Sequence, residues 1–165
     1  CQDNELSWFD WEEADTVLLE YVRWLIGFRK EHPVFRRRRW FQGRDIRGRD
    51  DIGWFAPDGS EMSEDDWEAG FAKSLGVYLN GDAIPTTDQR GEPIRDDSFL
   101  VLFNAHAEMI DFTMPAKWGE RWSVILDTAE PLPPSLVPEA EQRLAKAGEW
   151  VPVEHHSLVV LRRLA

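Results

Sequence analysis

Four residues near the start of the chain combine the groups that proteins use to hold a sugar. Gln2, Asp3 and Asn4 carry planar hydrogen-bonding groups, and Trp8 follows five residues after Asp3. Planar polar groups can pair with neighbouring sugar hydroxyls, and an aromatic face attracts the C–H bonds of a pyranose ring. Asp3, Asn4 and Trp8 are therefore the candidate substrate-binding residues. The alternative is structural, with Asp3 and Asn4 capping a turn and the aromatic side chains packing into a core.

Other kinds of reactive site are not indicated. His155 and His156 are adjacent, so on a strand they point in opposite directions and cannot chelate one metal ion. Cys1 is the single cysteine, which excludes an intrachain disulfide and leaves a structural zinc site without a second thiol. We expect Cys1 to be a small buried residue and the histidines, including His32 and His106, to face solvent from loops. We predict no metal site and no cofactor.

Neighbouring charged residues recur along the chain. The carboxylate pairs are Asp50-Asp51, Asp65-Asp66 and Asp96-Asp97. A retaining glycosidase needs two carboxyl groups about 5 Å apart across the scissile bond, and adjacent surface acids do not supply that geometry, so we expect hydrated turns. The run Arg36–Arg39 is too short for a nucleic-acid surface in so acidic a chain. We expect these arginines to pair with carboxylates at a domain junction.

Composition limits the class of protein. The 165 residues are 42% hydrophobic and include nine tryptophans, which is enough for a packed core. The net charge of −12 argues against nucleic acid as a partner, because phosphate binding needs a basic surface. Residues 1–40 carry a net charge of −1 and residues 41–165 carry −11, which predicts a boundary near Trp40. No apolar stretch reaches the length of a membrane span, so we expect no membrane partner and a cytoplasmic location.

One strong helical pattern must position the first part of the chain. Apolar residues recur at helical spacing between residues 15 and 31, and Pro33 ends the pattern. Asp10 and Asp15 are both candidate N-caps. The apolar face is too large for the helix to bury alone, so it requires a partner layer, either the following domain or a part outside this chain.

The rest of the sequence predicts an antiparallel β-sandwich of roughly six to eight strands. Leu75, Val77 and Leu79 alternate with more polar residues, which predicts one dry face, whereas residues 98–105 and 157–164 are apolar on both faces and should be central strands. A short helical turn is expected at residues 63–67, and a short helix between Pro138 and Gly148. His155 and His156 lie in an expected hairpin link.

Several long motifs resemble one known family. The segment CQDNELSWFDWE precedes a helix ending in FRKEHPVFRRRRWFQG, and both are similar to the glycogen-debranching branch of glycoside hydrolase family 13, the isoamylase-like enzymes. The similarity continues through DIGWFAPDGSEMSEDDW, SLGVYLNGDAI, DDSFLVLFNAHAE and SLVVLRRL, and covers nearly the whole chain.

The resemblance implies an N-terminal β-sandwich, a central (β/α)₈ barrel and a C-terminal antiparallel β domain. Residues 1–40 would be the last loop and helix of the barrel, and residues 41–165 the C-terminal β-sandwich. The barrel, absent from this chain, would pack on residues 15–31. Asp3 and Asn4 would then lie on the barrel face where active sites form.

The resemblance also implies an activity. Such enzymes hydrolyse α-1,6 branch linkages in glycogen or limit dextrin with retention, through a covalent glycosyl-enzyme. The nucleophilic Asp, the acid/base Glu and the transition-state Asp of the family belong to upstream barrel strands. No catalytic residue therefore maps onto this chain, which we expect to be inactive alone.

Two alternatives follow from the residues. An autonomous glucan-binding module needs two or three exposed, coplanar aromatic side chains, and Trp54, Trp67, Trp118 and Trp150 are the best candidates because each lies near a turn. A protein–protein interaction domain would instead expose a large apolar patch.

Overall fold

The computed structural model describes residues 2–43, 50–70, 73–130 and 143–164. Within these ranges the chain forms two α-helices and eight strands. The helices are α1 (Thr16–Glu31) and α2 (Glu64–Glu68), and the strands are β1 (Ile52–Phe55), β2 (Ser74–Leu79), β3 (Phe99–Asn104), β4 (Ile110–Thr113), β5 (Arg121–Asp127), β6 (Leu144–Lys146), β7 (Trp150–Val153) and β8 (Ser157–Arg163). No helix in the described ranges is long and apolar enough to cross a membrane. Cys1 lies outside them.

The strands form two antiparallel sheets. The large sheet has six strands in the order β1-β2-β3-β8-β5-β6, and β4 pairs with β7 in a two-stranded sheet. The central position of β3 and β8 confirms the prediction from their doubly apolar sequences. A strand with neighbours on both sides and layers on both faces can bury nearly every side chain.

The space between the two sheets forms the inner core. Trp122, the largest side chain in it, is completely buried, and the small sheet contributes Phe112, Val151 and Val153. The large sheet contributes residues from all six of its strands: Phe55, Tyr78, Leu100, Leu102, Trp122, Ala145, Val159 and Leu161. Burial of these apolar side chains is the main force that holds the two sheets together.

The opposite face of the large sheet carries an outer core. Its buried members are Val34, Ile84, Phe99, Val101, Leu126 and Val160. Four α1 residues pack against them at helical spacing, namely Tyr21, Trp24, Leu25 and Phe28. The rings of Phe28 and Phe99 meet edge to face with their centroids 5.5 Å apart. Helix α1 therefore covers part of this chain's own sheet.

This packing corrects one expectation about α1. The helix begins after Asp15, whose side chain accepts a hydrogen bond from the Leu18 amide, and it ends at Glu31, as predicted. Its apolar surface, however, is divided between two sides. One side packs on the outer core, whereas a second set of apolar residues is exposed: Val17, Leu18, Leu19, Val22 and Ile26. The expectation that the whole apolar face packs on a part outside this chain is wrong for the packed side.

The dry face of β2 is the opposite of the predicted one. Gly76 and Tyr78 are buried in β2, whereas Leu75, Val77 and Leu79 are only half-buried. Tyr78 can be buried because its hydroxyl accepts a hydrogen bond from Nη1 of Arg163, 2.9 Å away. A tyrosine whose hydroxyl has a partner behaves as a large apolar residue, which alternation of hydrophobicity does not reveal.

Two further expectations are wrong. Strands β7 and β8 belong to different sheets, so His155 and His156 lie in a turn that carries the chain from one sheet to the other rather than in a hairpin. His156 adopts a positive φ of 51° in that turn. The end of the expected helix between Pro138 and Gly148 is strand β6, because Leu144–Lys146 pair with β5 and form the edge of the large sheet. Residues 131–142 lie outside the described residues.

Candidate substrate-contact and junction residues

Asp3 and Trp8 contact each other directly. The indole Nε1 of Trp8 donates a hydrogen bond to Oδ1 of Asp3, while 62% of the Trp8 surface remains exposed. These residues, with Asn4, Glu5 and Leu6, line an open depression of about 350 Å³. The structure thus brings the three candidate substrate-binding residues together at one surface, with the ring of Trp8 accessible from solvent.

Asn4 supports the turn on which this surface is built. Its Oδ1 accepts a hydrogen bond from the Leu6 amide at 3.1 Å, and its carbonyl accepts from the amides of Ser7 and Trp8. Ser7 Oγ in turn donates to the carbonyl of Gln2 at 2.6 Å. This is the turn-capping role weighed above for Asn4, and it leaves the Asn4 Nδ2 group with a long 3.4 Å contact to Gln2.

Several exposed apolar side chains lie close in sequence to the residues that line this depression. Leu6 and Trp11 are 97% and 78% exposed, and Phe9 is also exposed. Together with the exposed side of α1, which we call the α1 stripe (Leu18, Leu19, Val22 and Ile26), they form a run of unburied apolar groups between residues 6 and 26.

Two side-chain pairs that are largely shielded from solvent link α1 and the segment after it to the large sheet. Nδ1 of His32 lies 2.7 Å from Oδ1 of Asp96, and Oδ2 of Asp96 accepts from the Val34 amide. Arg37 donates to Oδ2 of Asp51 at 3.0 Å, with both side chains almost completely buried. Asp51 also accepts hydrogen bonds from two backbone amides, those of residues 42 and 43.

These pairs test the predictions made for the arginine run, the carboxylate pairs and His32. The prediction that arginines of the 36–39 run pair with carboxylates at the junction is confirmed for Arg37. The expectation of hydrated turns is wrong for Asp51 and Asp96, and His32 does not face solvent. Charge runs in a sequence do not reveal which members are buried, because burial depends on a partner that lies 14 residues away for Arg37 and 64 for His32.

Tyr21 on α1 lies in the same junction. Burial, followed by the negative charge of Asp127, raises the pKa of the Tyr21 hydroxyl. That hydroxyl has no hydrogen-bond partner among the described residues. In the described part of the chain no group of three or more His, Cys, Asp or Glu side chains is placed to hold a metal ion.

The four candidate tryptophans of the glucan-binding alternative differ in their surroundings. Trp118 packs on Phe55 and Tyr78 and donates to Glu61, so it belongs to the margin of the inner core. Trp150 is 73% exposed on the small sheet. Of these four, only Trp54 and Trp67 contact each other, with their centroids 5.3 Å apart, and they meet edge to face at 77° rather than as the expected coplanar pair.

Comparison with known proteins decides the family. The family model described as the isoamylase C-terminal domain matches residues 51–162. The chain belongs to this family. The matched range begins at Asp51, the partner of Arg37, and includes every strand of the isoamylase C-terminal domain described above, apart from the last residue of β8.

Curated relatives carry names from glycogen metabolism. A glycogen operon protein GlgX homolog from Mycobacterium bovis is 47% identical over 138 residues, which cover 80% of this chain and 19% of the relative. A glycogen debranching enzyme from Dickeya chrysanthemi is 30% identical over 115 residues, covering 70% of this chain and 14% of the relative. The isoamylase C-terminal chain therefore spans less than a fifth of the length of these relatives.

A solved structure supports the fold. Pullulanase type I from Bacillus subtilis, crystallised with maltose, matches with a TM-score of 0.51 over 94% of this chain and 17% of its own, at 16% identity. The similarity extends to the antiparallel β architecture expected of an amylase-type C-terminal domain.

Proposed function

We propose that this chain is the C-terminal part of a debranching glycoside hydrolase that cleaves α-1,6 branch linkages in glycogen or limit dextrin. The observation that carries the proposal is the 47% identity to the GlgX homolog across 80% of the chain. The three catalytic carboxylates belong to a (β/α)₈ barrel encoded upstream, and the reaction retains configuration through a glycosyl-enzyme intermediate. A cytoplasmic location is part of the proposal.

In this proposal residues 1–40 complete the barrel and residues 41–165 form the C-terminal domain. Helix α1 lies between the two, with Tyr21, Trp24, Leu25 and Phe28 on the large sheet and the α1 stripe on the barrel. A helix with apolar residues on two sides is suited to a position between two layers. The buried pairs His32–Asp96 and Arg37–Asp51 then hold the barrel helix in a fixed orientation to the domain.

Asp3, Asn4 and Trp8 are proposed to contact the glucan at the active-site face of that barrel. Support comes from the accessible Trp8 ring and from the open depression beside it. In the turn, Asp3 orients Trp8 and Asn4 shapes the backbone. Asp3 therefore acts mainly by positioning the indole.

The test begins with the coding sequence directly upstream of Cys1. We expect it to encode a barrel with three acidic residues at strand ends, and the protein produced from it to release linear chains from glycogen and limit dextrin. Replacement of the upstream nucleophilic Asp by Asn is the control and should abolish release. An unrelated upstream sequence, or a barrel protein that leaves branch points intact, would overturn the proposal.

A further inference from the structure

Trp54 and Trp67 form an exposed aromatic corner on the large sheet. Trp54 lies on β1 and Trp67 on α2, and their ring planes are 77° apart at a centroid distance of 5.3 Å. Trp54 is 38% exposed and Trp67 is 54% exposed. The two rings thus meet at nearly a right angle, and each keeps part of its surface open to solvent.

This corner lies at the open end of the outer face of the large sheet. On that face, three residues of β2 are paired with residues of the neighbouring strand β3. The pairs are Leu79 with Phe99, Val77 with Val101, and Leu75 with Phe103. Phe99 and Val101 are buried in the outer core beneath α1, whereas Phe103 is 40% exposed.

Strand β1 lies on the other side of β2 from β3, and its residue Trp54 is paired with Val77. Trp54 and Phe103 therefore lie on the same face of the large sheet, and neither belongs to the outer core.

The chemistry around the corner disfavours anionic ligands and suits a neutral polyhydroxylated one. The carboxylates of Glu64, Asp65 and Glu68 are exposed on α2, the helix that carries Trp67. Carboxylates accept hydrogen bonds from sugar hydroxyls and repel phosphate and anionic lipid headgroups. The negative face of an indole attracts the C–H groups of a pyranose ring. A glucose unit presents both kinds of group at once.

We propose that the Trp54–Trp67 corner binds an α-1,4-linked glucan chain. The choice of glucan rests on the proposed function, because the aromatic corner and its carboxylates suit a sugar but specify neither its identity nor its linkage. One glucose unit stacks on a tryptophan ring, and the neighbouring carboxylates on α2 accept hydrogen bonds from its hydroxyls.

The test is a calorimetric titration of the 165-residue chain with maltoheptaose. The variant Trp67→Ala should bind roughly ten-fold more weakly, because truncating a central aromatic anchor costs at least about 1.4 kcal/mol. Trp67→Phe should lose less affinity, since it keeps an aromatic face. Trp150→Ala is the control, a more exposed tryptophan on the other sheet, and should leave affinity unchanged.

Three results would overturn the inference. They are no saturable binding by the unchanged chain, equal affinity in Trp67→Ala, and equal losses in Trp67→Ala and Trp150→Ala. An apolar dye that binds the corner while maltoheptaose does not would indicate a protein-docking surface and also overturn it. Branch cleavage by the barrel protein is measured separately, so cleavage without glucan binding at Trp67 overturns only this inference, and binding without cleavage overturns only the proposed function.

Discussion

Asp51 shows how one residue holds the junction between α1 and the sheet. Its side chain is completely buried, forms an ion pair with Arg37 and accepts two backbone hydrogen bonds. Arg37 also stacks over the ring of Phe41 at 4.0 Å. A buried charge that loses its partner is more costly than the loss of the pair itself, because the remaining charge stays out of water.

We therefore expect Asp51→Ala to lower the free energy of unfolding by about 3–5 kcal/mol. The matched control is Glu20→Ala, which removes the exposed ion pair between Glu20 and Arg23 and should cost less than about 1 kcal/mol. Urea denaturation followed by tryptophan fluorescence measures both. Similar losses in the two variants would contradict a buried, energetically coupled Arg37–Asp51 pair.

Helix α2 depends on the capping box at its first turn. Oδ2 of Asp66 accepts hydrogen bonds from the amide and the hydroxyl of Ser63, and the Asp66 amide donates to Ser63 Oγ. The Ser63 amide and then its hydroxyl lower the pKa of Asp66 below the ordinary 3.8. Trp67 of the aromatic corner lies on this helix, so the cap also helps to position that residue.

The lowered pKa predicts a pH dependence with a definite sign. Because the folded state favours the carboxylate, the stabilising contribution of Asp66 is present above pH 3.8 and is lost as the pH falls through the lowered pKa. Carbon-detected NMR titration should give Asp66 a midpoint below 3.8 that rises part of the way back in Ser63→Ala. Ser60→Ala is the control, because Ser60 lowers the pKa of Asp58 instead and should leave Asp66 unchanged. An Asp66 midpoint equal in the Ser63→Ala and unchanged chains would contradict the capping box.

At the scale of the whole molecule, the α1 stripe is the surface that this chain leaves unsatisfied. Val22 and Ile26 lie four residues apart on the exposed side of α1 and are about half exposed. Phe28 lies on the packed side, against Phe35 and Phe99. The two sides of one helix thus make two different contacts. Substitutions on the exposed side should change self-association, and substitutions on the packed side should change stability.

We expect the isolated chain to self-associate at micromolar concentration through the α1 stripe. The double variant Val22→Glu with Ile26→Lys keeps the net charge, adds a favourable i,i+4 pair and should elute as a monomer in size-exclusion chromatography. Its free energy of unfolding should change by less than about 0.5 kcal/mol. Phe28→Ala is the control and should cost about 2 kcal/mol or more without improving solubility. Unfolding of the double variant would show that the stripe is packed within this chain.

Local sequence determined the elements whose signals lie within a few residues. The end of α1 before Pro33, the turn at Ser63 and the doubly apolar strands β3 and β8 each follow from neighbouring side chains, whereas the sequence left the N-cap of α1 open between Asp10 and Asp15. The resemblance in the motifs likewise indicated the family that the match to residues 51–162 confirms.

Only the tertiary structure decided which apolar and charged groups become buried. It divided the apolar residues of α1 between a packed and an exposed side, turned Tyr78 rather than Leu75 into the core, and buried His32, Arg37, Asp51 and Asp96. Each outcome depends on partners distant in sequence, whose positions are set by how the sheets and α1 stack. The sequence pattern shows whether a side chain is apolar or charged, whereas the free energy of burying that side chain depends on the groups that contact it in the folded structure.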